Sequence, residues 1–246
     1  MSLGKKAAFR RVLLKMSGEA LMGGSEKAIS PQTLVRIAKE IQEVQKLGVQ
    51  VAIVIGGGNF CRGVALSEVG INRVTGDHMG MVATIMNALA LRDAFERLEI
   101  PVRILSAVAV GGMVDLFSRR KAIHHLEQNR IVIFSAGTGN PLFTTDSAAS
   151  LRGIEIDADI VLKATNVDGI YSEDPRKNPS ATLYKHLTYD EVLEKEFAVM
   201  DLSAFCQCRD YQMPLCVFNI NKPGELLKVI AGEAVGTRVD GGGHVR

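Results

Sequence analysis

The sequence predicts an α/β protein: a three-layer αβα sandwich around a mainly parallel central sheet. Two observations predict it. Short apolar runs suited to buried strands alternate with segments whose apolar residues recur at helical spacing, and short loops join them. Several of those apolar runs end in clusters of small residues, the kind of loop that binds ligands at the carboxyl edge of an open parallel sheet. The 246 residues suit a single domain, expected over 10–246, with 1–9 read as a disordered or appended tail.

The elements follow in order. Arg11-Val-Leu-Leu-Lys-Met-Ser-Gly18 reads as a strand running into a Ser-Gly turn, with Lys15 near the strand's end. Ser30-Pro31 is an N-cap with Pro at the first helical position. Leu34, Ile37, Ala38, Ile41, Val44 and Leu47 then recur on one face, and Gly48 closes the helix. Val51–Ile55 is the next strand. A long helix is expected over about Asp77–Arg97, with Met79, Val82, Ile85, Met86, Leu89 and Phe95 as its apolar face. Pro101 precedes the strand Val102–Leu105, and a short helix over about Arg119–Gln128 precedes the strand Ile131–Phe134. Asp159–Leu162 is a further strand. Helices near Tyr189–Leu193, Leu202–Tyr211 and Gly224–Ala231, with the strand Leu215–Ile220, complete the reading.

Composition excludes several function classes. A net charge of +2 is too balanced to argue for a nucleic-acid partner, and Arg119-Arg-Lys121 reads as a solvated helix start. No apolar run approaches the roughly 20 residues of a membrane helix, and no secretory signal is read at the start, so a cytoplasmic location is expected. Cys61, Cys206, Cys208 and Cys216 fit no zinc spacing, and reduced thiols are expected.

Four loops carry the chemistry. Ala136-Gly-Thr-Gly-Asn-Pro-Leu-Phe-Thr-Thr-Asp146 leaves a strand and opens a helix with free N–H groups, threonine hydroxyls for capping and a carboxylate able to orient a lysine or a metal. Gly56-Gly-Gly-Asn59 follows a strand directly, where backbone N–H groups can approach a phosphate and glycine permits positive φ. Arg62 follows as a bidentate phosphate donor. Neither a Walker sequence nor G-x-G-x-x-G is present. Val167-Asp-Gly169 signals a turn for which glycine often supplies positive φ, Tyr171 offers a face for a base, and Asp174-Pro175 starts another turn. Taken alone, each loop is also compatible with an ordinary strand–helix turn or surface hairpin.

Together these segments resemble the amino acid kinase superfamily, and within it the UMP kinase branch. The resemblance rests on Lys15-Met-Ser-Gly18, Gly56-Gly-Gly-Asn59 with Arg62-Gly63, Asp77-His-Met-Gly-Met81, Gly137-Thr-Gly-Asn-Pro-x-x-Thr-Thr-Asp146 and Ala164-Thr-Asn-Val-Asp-Gly-Ile-Tyr-x-x-Asp-Pro175, in family order. It implies direct in-line transfer of the γ-phosphoryl group of ATP to UMP. Lys15, Arg62 and Asp146 would be catalytic, with Asp146 holding Lys15 by an ion pair. Lys15, Met16, Ser17, Gly18, Gly58, Arg62, Thr165, Tyr171 and Asp174 fall at ATP positions. Gly57, Asp77, Thr138, Gly139, Asn140, Pro141, Leu142, Phe143, Thr144 and Thr145 fall at UMP positions. Mg²⁺ would arrive on the ATP phosphates, and no dedicated protein cage for a metal is read. Asp77 reads equally as an acid stabilised at a helix N-terminus, and Asp201 as structural or regulatory.

The resemblance also implies feedback inhibition by UTP and a homohexamer. GTP is a candidate effector, with Arg92, Arg103 and Arg130 as candidates for its pocket, although Gly23–Ala28 and Glu96 depart from the pattern of GTP-activated members. Two other readings stand beside this one: a kinase of the same superfamily with a carboxylate or carbamate acceptor, and a non-catalytic nucleotide-binding or oxyanion-storage protein.

Overall fold

This computed structural model describes residues 6–24, 26–61, 66, 68, 70–197 and 199–242. The strands are β1 (Arg11–Met16), β2 (Gln50–Ile55), β3 (Val102–Ser106), β4 (Asp115–Leu116), β5 (Ile131–Ser135), β6 (Ile160–Thr165), β7 (His186–Thr188), β8 (Leu215–Asn219) and β9 (Thr237–Asp240). The helices, relabelled in chain order, are α1 (Pro31–Lys46), α2 (Arg73–Glu96), α3 (Arg119–Glu127), α4 (Thr145–Glu155), α5 (Tyr189–Glu194), α6 (Leu202–Asp210) and α7 (Glu225–Ile230). One sheet runs β4-β3-β5-β2-β1-β6-β8-β9-β7. Its neighbours are parallel except at β8–β9, so the reversed pair β9 and β7 closes one edge.

The sandwich follows from the two-residue period of the strands. Val12, Leu14 and Met16 of β1 face one side with Val51, Ile53 and Ile55 of β2, under Ile37, Ile41 and Phe95 of α1 and α2. Leu13, Ala52 and Val54 face the other side, under Ala148 and Ala149 of α4 and Phe205 of α6. With both faces covered, the central strands are apolar throughout, as a parallel sheet requires. The exceptions, Arg11, Lys15 and Lys163, are buried charges that need partners.

Local signals set the helix starts. Ser30 Oγ accepts from the Thr33 N–H, and Pro31 opens α1. Asn72 Oδ1 accepts from the Val74 N–H, which starts α2 at Arg73, four residues before the position its apolar pattern indicated. The apolar face expected on α2 is partly corrected. Ile85 and Phe95 are buried, but Met79, Val82 and Met86 lie exposed. The inward stripe is built from small and polar residues, Gly76, Ala83, Thr84, Asn87 and Ala88, which hydropathy underweights. Residues 6–9 also depart from the tail read over 1–9. The Ala8 N–H donates to the Ile230 carbonyl, and Ala7 and Phe9 pack on the core.

Helix α4 lies close on β1 and β6 because Gly153 allows it: a Cβ there would sit 2.7 Å from Val161 Cγ2. Gly153→Ala should therefore push α4 outward and lower unfolding stability by about 1–3 kcal/mol, the usual penalty of overpacking. Urea unfolding reads this directly, and an unchanged midpoint would show that α4 has room to spare.

Candidate active site

The parallel register of β1 and β6 places Lys15 beside Lys163. Both side chains point to the face covered by α4. Two ammoniums on adjacent buried strands repel, and the first turn of α4 answers with Asp146. Lys15 Nζ lies 2.6 Å from Asp146 Oδ1, and Lys163 Nζ donates to Oδ2 at 2.5 Å. All three are about nine-tenths buried. Burial opposes ionisation of Asp146, but the two ammoniums hold its carboxyl below the usual carboxylate range. Burial, followed by repulsion from Lys15, brings Lys163 down to about 8. Thr144 caps the helix, its Oγ1 accepting from the Asp146 N–H at 3.1 Å, and its hydroxyl donates to Asp201. Asp201 thus braces the cap of the helix that carries Asp146.

Three cavities run along the carboxyl edge of the sheet. A cleft of about 620 Å³ is lined by Lys15, Ser17, Gly18, Gly57, Gly58 and Asp77, with Thr138, Asn140 and Phe143–Asp146 completing its wall. A second, of about 660 Å³, shares Lys15 and Ser17 and adds Lys163, Thr165, Asn166 and Arg36. A third, of about 740 Å³, shares Thr165 and Asn166 with the second and adds Tyr171 and Asp174. Lys15 therefore stands where the first two cavities meet.

Most of the residues read from the sequence reach this edge, some by other means than expected. The Asp77 carboxylate pairs with Arg73 at 3.0 Å, and its Oδ2 accepts from the Leu142 N–H at 2.9 Å. It stands a turn inside α2, which weakens its reading as an acid at a helix N-terminus. Leu142 and Pro141 stay outside the cleft, and Leu142 contributes through its backbone at φ 69°. Gly139, at φ 82°, shapes the turn without lining the cavity. Met16 is corrected: its side chain is fully buried in the core on the α1–α2 side, so only its backbone can reach a ligand. Gly18 and Gly58 line the first cleft rather than the second. Gly56, Gly57 and Gly58 do not use positive φ; a Cβ on Gly57 would lie 2.7 Å from the Gly80 carbonyl oxygen, so close approach is the requirement. Gly169 likewise yields space to Thr237 and has no positive φ.

Asp168 ties the third cavity's loop to the end of β8. It accepts from Asn219 Nδ2 at 3.0 Å and pairs with Lys222 at 2.7 Å. Those two donors hold its carboxyl below the usual range. Asp174 is bound by Arg176 within its own turn. Arg92 and Arg103 line a separate cavity of about 400 Å³ with Glu96, whereas Arg130 does not line it and instead contacts His125. Arg62 lies outside the described residues. Lys163 was missed in the sequence. Its signal was a lysine inside a β-rich run, Ile160-Val-Leu-Lys-Ala-Thr165.

Comparison with known proteins agrees with this architecture. The model of the amino acid kinase family matches residues 10–219. A protein named uridylate kinase from Coxiella burnetii is 70% identical over 242 residues, 98% of this chain and 100% of its own length. A uridylate kinase from Pseudomonas putida is 59% identical, covering 97% of each chain. The crystal structure of UMP kinase from Bacillus anthracis superposes with a TM-score of 0.92 at 38% identity, over 96% of this chain and 97% of that one. UMP kinase from Ureaplasma parvum gives 0.88 at 36% identity, over 94% and 98%.

Removing the central carboxylate tests the charge cluster. Asp146→Asn leaves two buried ammoniums without a counterion and should cost about 3–5 kcal/mol in denaturant unfolding. The pH dependence has a definite sign. A lysine whose folded value is lowered binds fewer protons folded than unfolded, so its burial penalty fades as pH rises past that value. Loss of Asp146 lowers Lys163 further, so the deficit should narrow as pH is raised toward 8. A deficit that widened over that range would contradict the cluster.

Proposed function

The chain belongs to the amino acid kinase family, and on that premise we propose that it transfers the γ-phosphoryl group of MgATP directly to UMP, giving UDP and ADP, a step of pyrimidine nucleotide biosynthesis. The observation that carries this reading is the position of Lys15 at the meeting of two cavities. One ammonium there faces both a donor and an acceptor phosphate. In-line phosphoryl transfer asks mainly for positioning and charge neutralisation, which such a cation supplies.

The first cleft takes UMP. Asp77 and the 138–145 segment hold its nucleoside, and Gly57 and Gly58 hold its phosphate. The second and third cavities take ATP, its phosphates against Ser17, Lys15 and Lys163 and its base along Tyr171, with Thr165 and Asp174 beside it. Asp146 keeps both lysines in place, and Arg62 adds a further cation. Mg²⁺ enters with ATP as part of the substrate. Asp146 is engaged by two lysines, and among the described residues no group of three or more acids, histidines or cysteines forms a metal cage. A non-catalytic storage protein is expected to have lost Lys15 or Asp146, and both are present.

Regulation and assembly extend the same reading. UTP inhibits by entering the acceptor cleft. The cavity lined by Arg92 and Arg103 suits an effector phosphate, with GTP the candidate. Exposed Met79, Val82 and Met86 on α2 support a contact between subunits, in keeping with a homohexamer. No helix of the described residues is long and apolar enough to cross a membrane; a cytoplasmic location is part of the same proposal.

A coupled assay with MgATP and UMP, CMP, dUMP, glutamate or carbamate should give turnover with UMP. Turnover with none of the nucleotides would sink the reading. Lys15→Ala should lower kcat about 100-fold or more, equivalent to roughly 2.7 kcal/mol. A raised KM with normal kcat would mean that Lys15 serves binding alone.

UTP inhibition should be competitive with UMP, because both occupy one cleft. Asp77→Asn should weaken UTP inhibition and raise the KM for UMP together. Inhibition left intact while that KM rises would point to a separate site for UTP.

A further inference from the structure

Helix α2 carries an inward polar stripe that the proposed substrate contacts do not explain. Asp77, Thr84 and Asn87 fall within an arc of about 80° on the helix surface. Met79, Val82 and Met86 lie on the opposite face and are exposed. Thr84 and Asn87 are polar residues in the middle of a helix, with relative exposures of 3% and 0%. Unsatisfied, they would be costly there. Both are engaged, and each has a partner in the backbone of a loop that lines the acceptor cleft, Gly56 for Asn87 and Ala136 for Thr84.

Asn87 Nδ2 donates to the Gly56 carbonyl at 2.7 Å and to Asn59 Oδ1 at 2.8 Å. Asn59 Nδ2 donates back to Asn87 Oδ1 at 2.9 Å and to the Ala28 carbonyl at 2.8 Å. The two amides thus close on each other and grip both ends of the glycine loop. Gly57 then approaches α2 so closely that a Cβ would lie 2.9 Å from Ala83 Cβ. Three residues earlier, Thr84 Oγ1 accepts from the Ala136 N–H at 2.7 Å and donates to the Met81 carbonyl at 2.7 Å. Ala136 opens the 136–145 loop at φ 61°, a conformation costly for a residue with a Cβ and held only where neighbours enforce it. About two turns further toward the N-terminus, Asp77 binds the Leu142 N–H of the same loop.

We propose that α2 sets the geometry of the acceptor cleft, with Asn87, paired with Asn59, as the positioning residue for the glycine loop and Thr84 as the positioning residue for the start of the 136–145 loop. Neither is a catalytic residue: Thr84 lines the cleft but its hydroxyl is engaged by Ala136 and Met81, and Asn87 does not line the cleft at all. Both loops hang from one rigid helix, so the distance between the bound phosphate and the bound nucleoside is fixed by the rise between neighbouring turns. A misplacement of about 1 Å in such a frame costs on the order of 100-fold in rate. The inference rests on the reading of the cleft as a nucleoside monophosphate site.

The test is steady-state kinetics of Thr84→Val, Thr84→Ser, Asn87→Asp and Asn59→Ala against the unaltered enzyme. Thr84→Val keeps the shape and removes the acceptor oxygen. Asn87→Asp keeps the shape and removes the two donated bonds, and Asn59→Ala probes the same pair if Asn87→Asp does not fold. Each should lower kcat/KM for UMP about 10- to 100-fold and leave the KM for ATP unchanged, because none of Thr84, Asn87 and Asn59 lines the donor cavities. Thr84→Ser should recover most of the loss. Combining Asn87→Asp with Asn59→Ala should cost little more than the worse single change, as expected for one coupled unit. Variants that merely melt earlier, with both kinetic constants intact below the transition, would overturn the proposal, and so would equal losses for ATP and UMP. Turnover of UMP by the unaltered enzyme tests the substrate reading on its own. The ratio of variant to unaltered enzyme, read on whichever nucleoside monophosphate is phosphorylated, tests the positioning role.

Discussion

The interaction on which the rest of the structure depends is the shared ion pair Lys15–Asp146–Lys163. Two lysines side by side on adjacent strands in the middle of a sandwich would be untenable alone, since burial and mutual repulsion both act against their charge. The carboxylate between them makes the register of β1 on β6 acceptable. It constrains α4 as well. The helix must begin where its first turn can reach both lysines, which fixes its cap at Thr144. It must also lie low on the sheet, which fixes a residue without a side chain at Gly153. Strand pairing, helix packing and site electrostatics are thus one constraint.

The sheet order explains why ligand loops gather at this point. β1 connects outward to β2 through α1, and β5 connects back across β1 to β6 through α4, on the opposite face. Loops leaving the carboxyl ends of β1, β2, β5 and β6 therefore diverge around the strand that bears Lys15, and the space between them is the junction of the cavities. Such a divergence is where open α/β sheets bind ligands. Gly56–Gly58 and the 136–145 loop bound one side, and the turn after β6 bounds the other.

Much of this was legible in the sequence, and the misses have physical causes. The central strands stood out because burial on both faces leaves them continuously apolar. The cap at Ser30 was readable, as was a threonine cap ahead of Asp146, because hydroxyl residues before a helical pattern have one strong use; the structure assigns the latter to Thr144. β6 was cut short at Leu162 because a charged residue ended the apolar run. The strand continues because Lys163 has a buried partner 17 residues back in the chain, which no local pattern reveals. β7 and β9 went unseen because His186–Thr188 and Thr237–Asp240 are short and rich in polar residues at the sheet's edge. The inward face of α2 was misplaced for a related reason. Threonine, asparagine and glycine read as solvent-facing until their backbone partners, which are remote in sequence, are known.

The two sides of the site are held by different forces, and the difference suits what each must do. The side proposed for transfer is held by charge: two ammoniums and a carboxylate leave one net positive charge there. Charge acts over several ångströms and can serve a group that moves between partners. The side proposed for the acceptor is held by hydrogen bonds from α2, which are short and directional. They suit a group that must stay still. A mobile phosphoryl group between fixed neighbours calls for that division. It also accounts for polar side chains buried on the one long helix whose outward face is apolar: there the polarity serves placement, and apolar residues of the same volume could fill the space without fixing the loops.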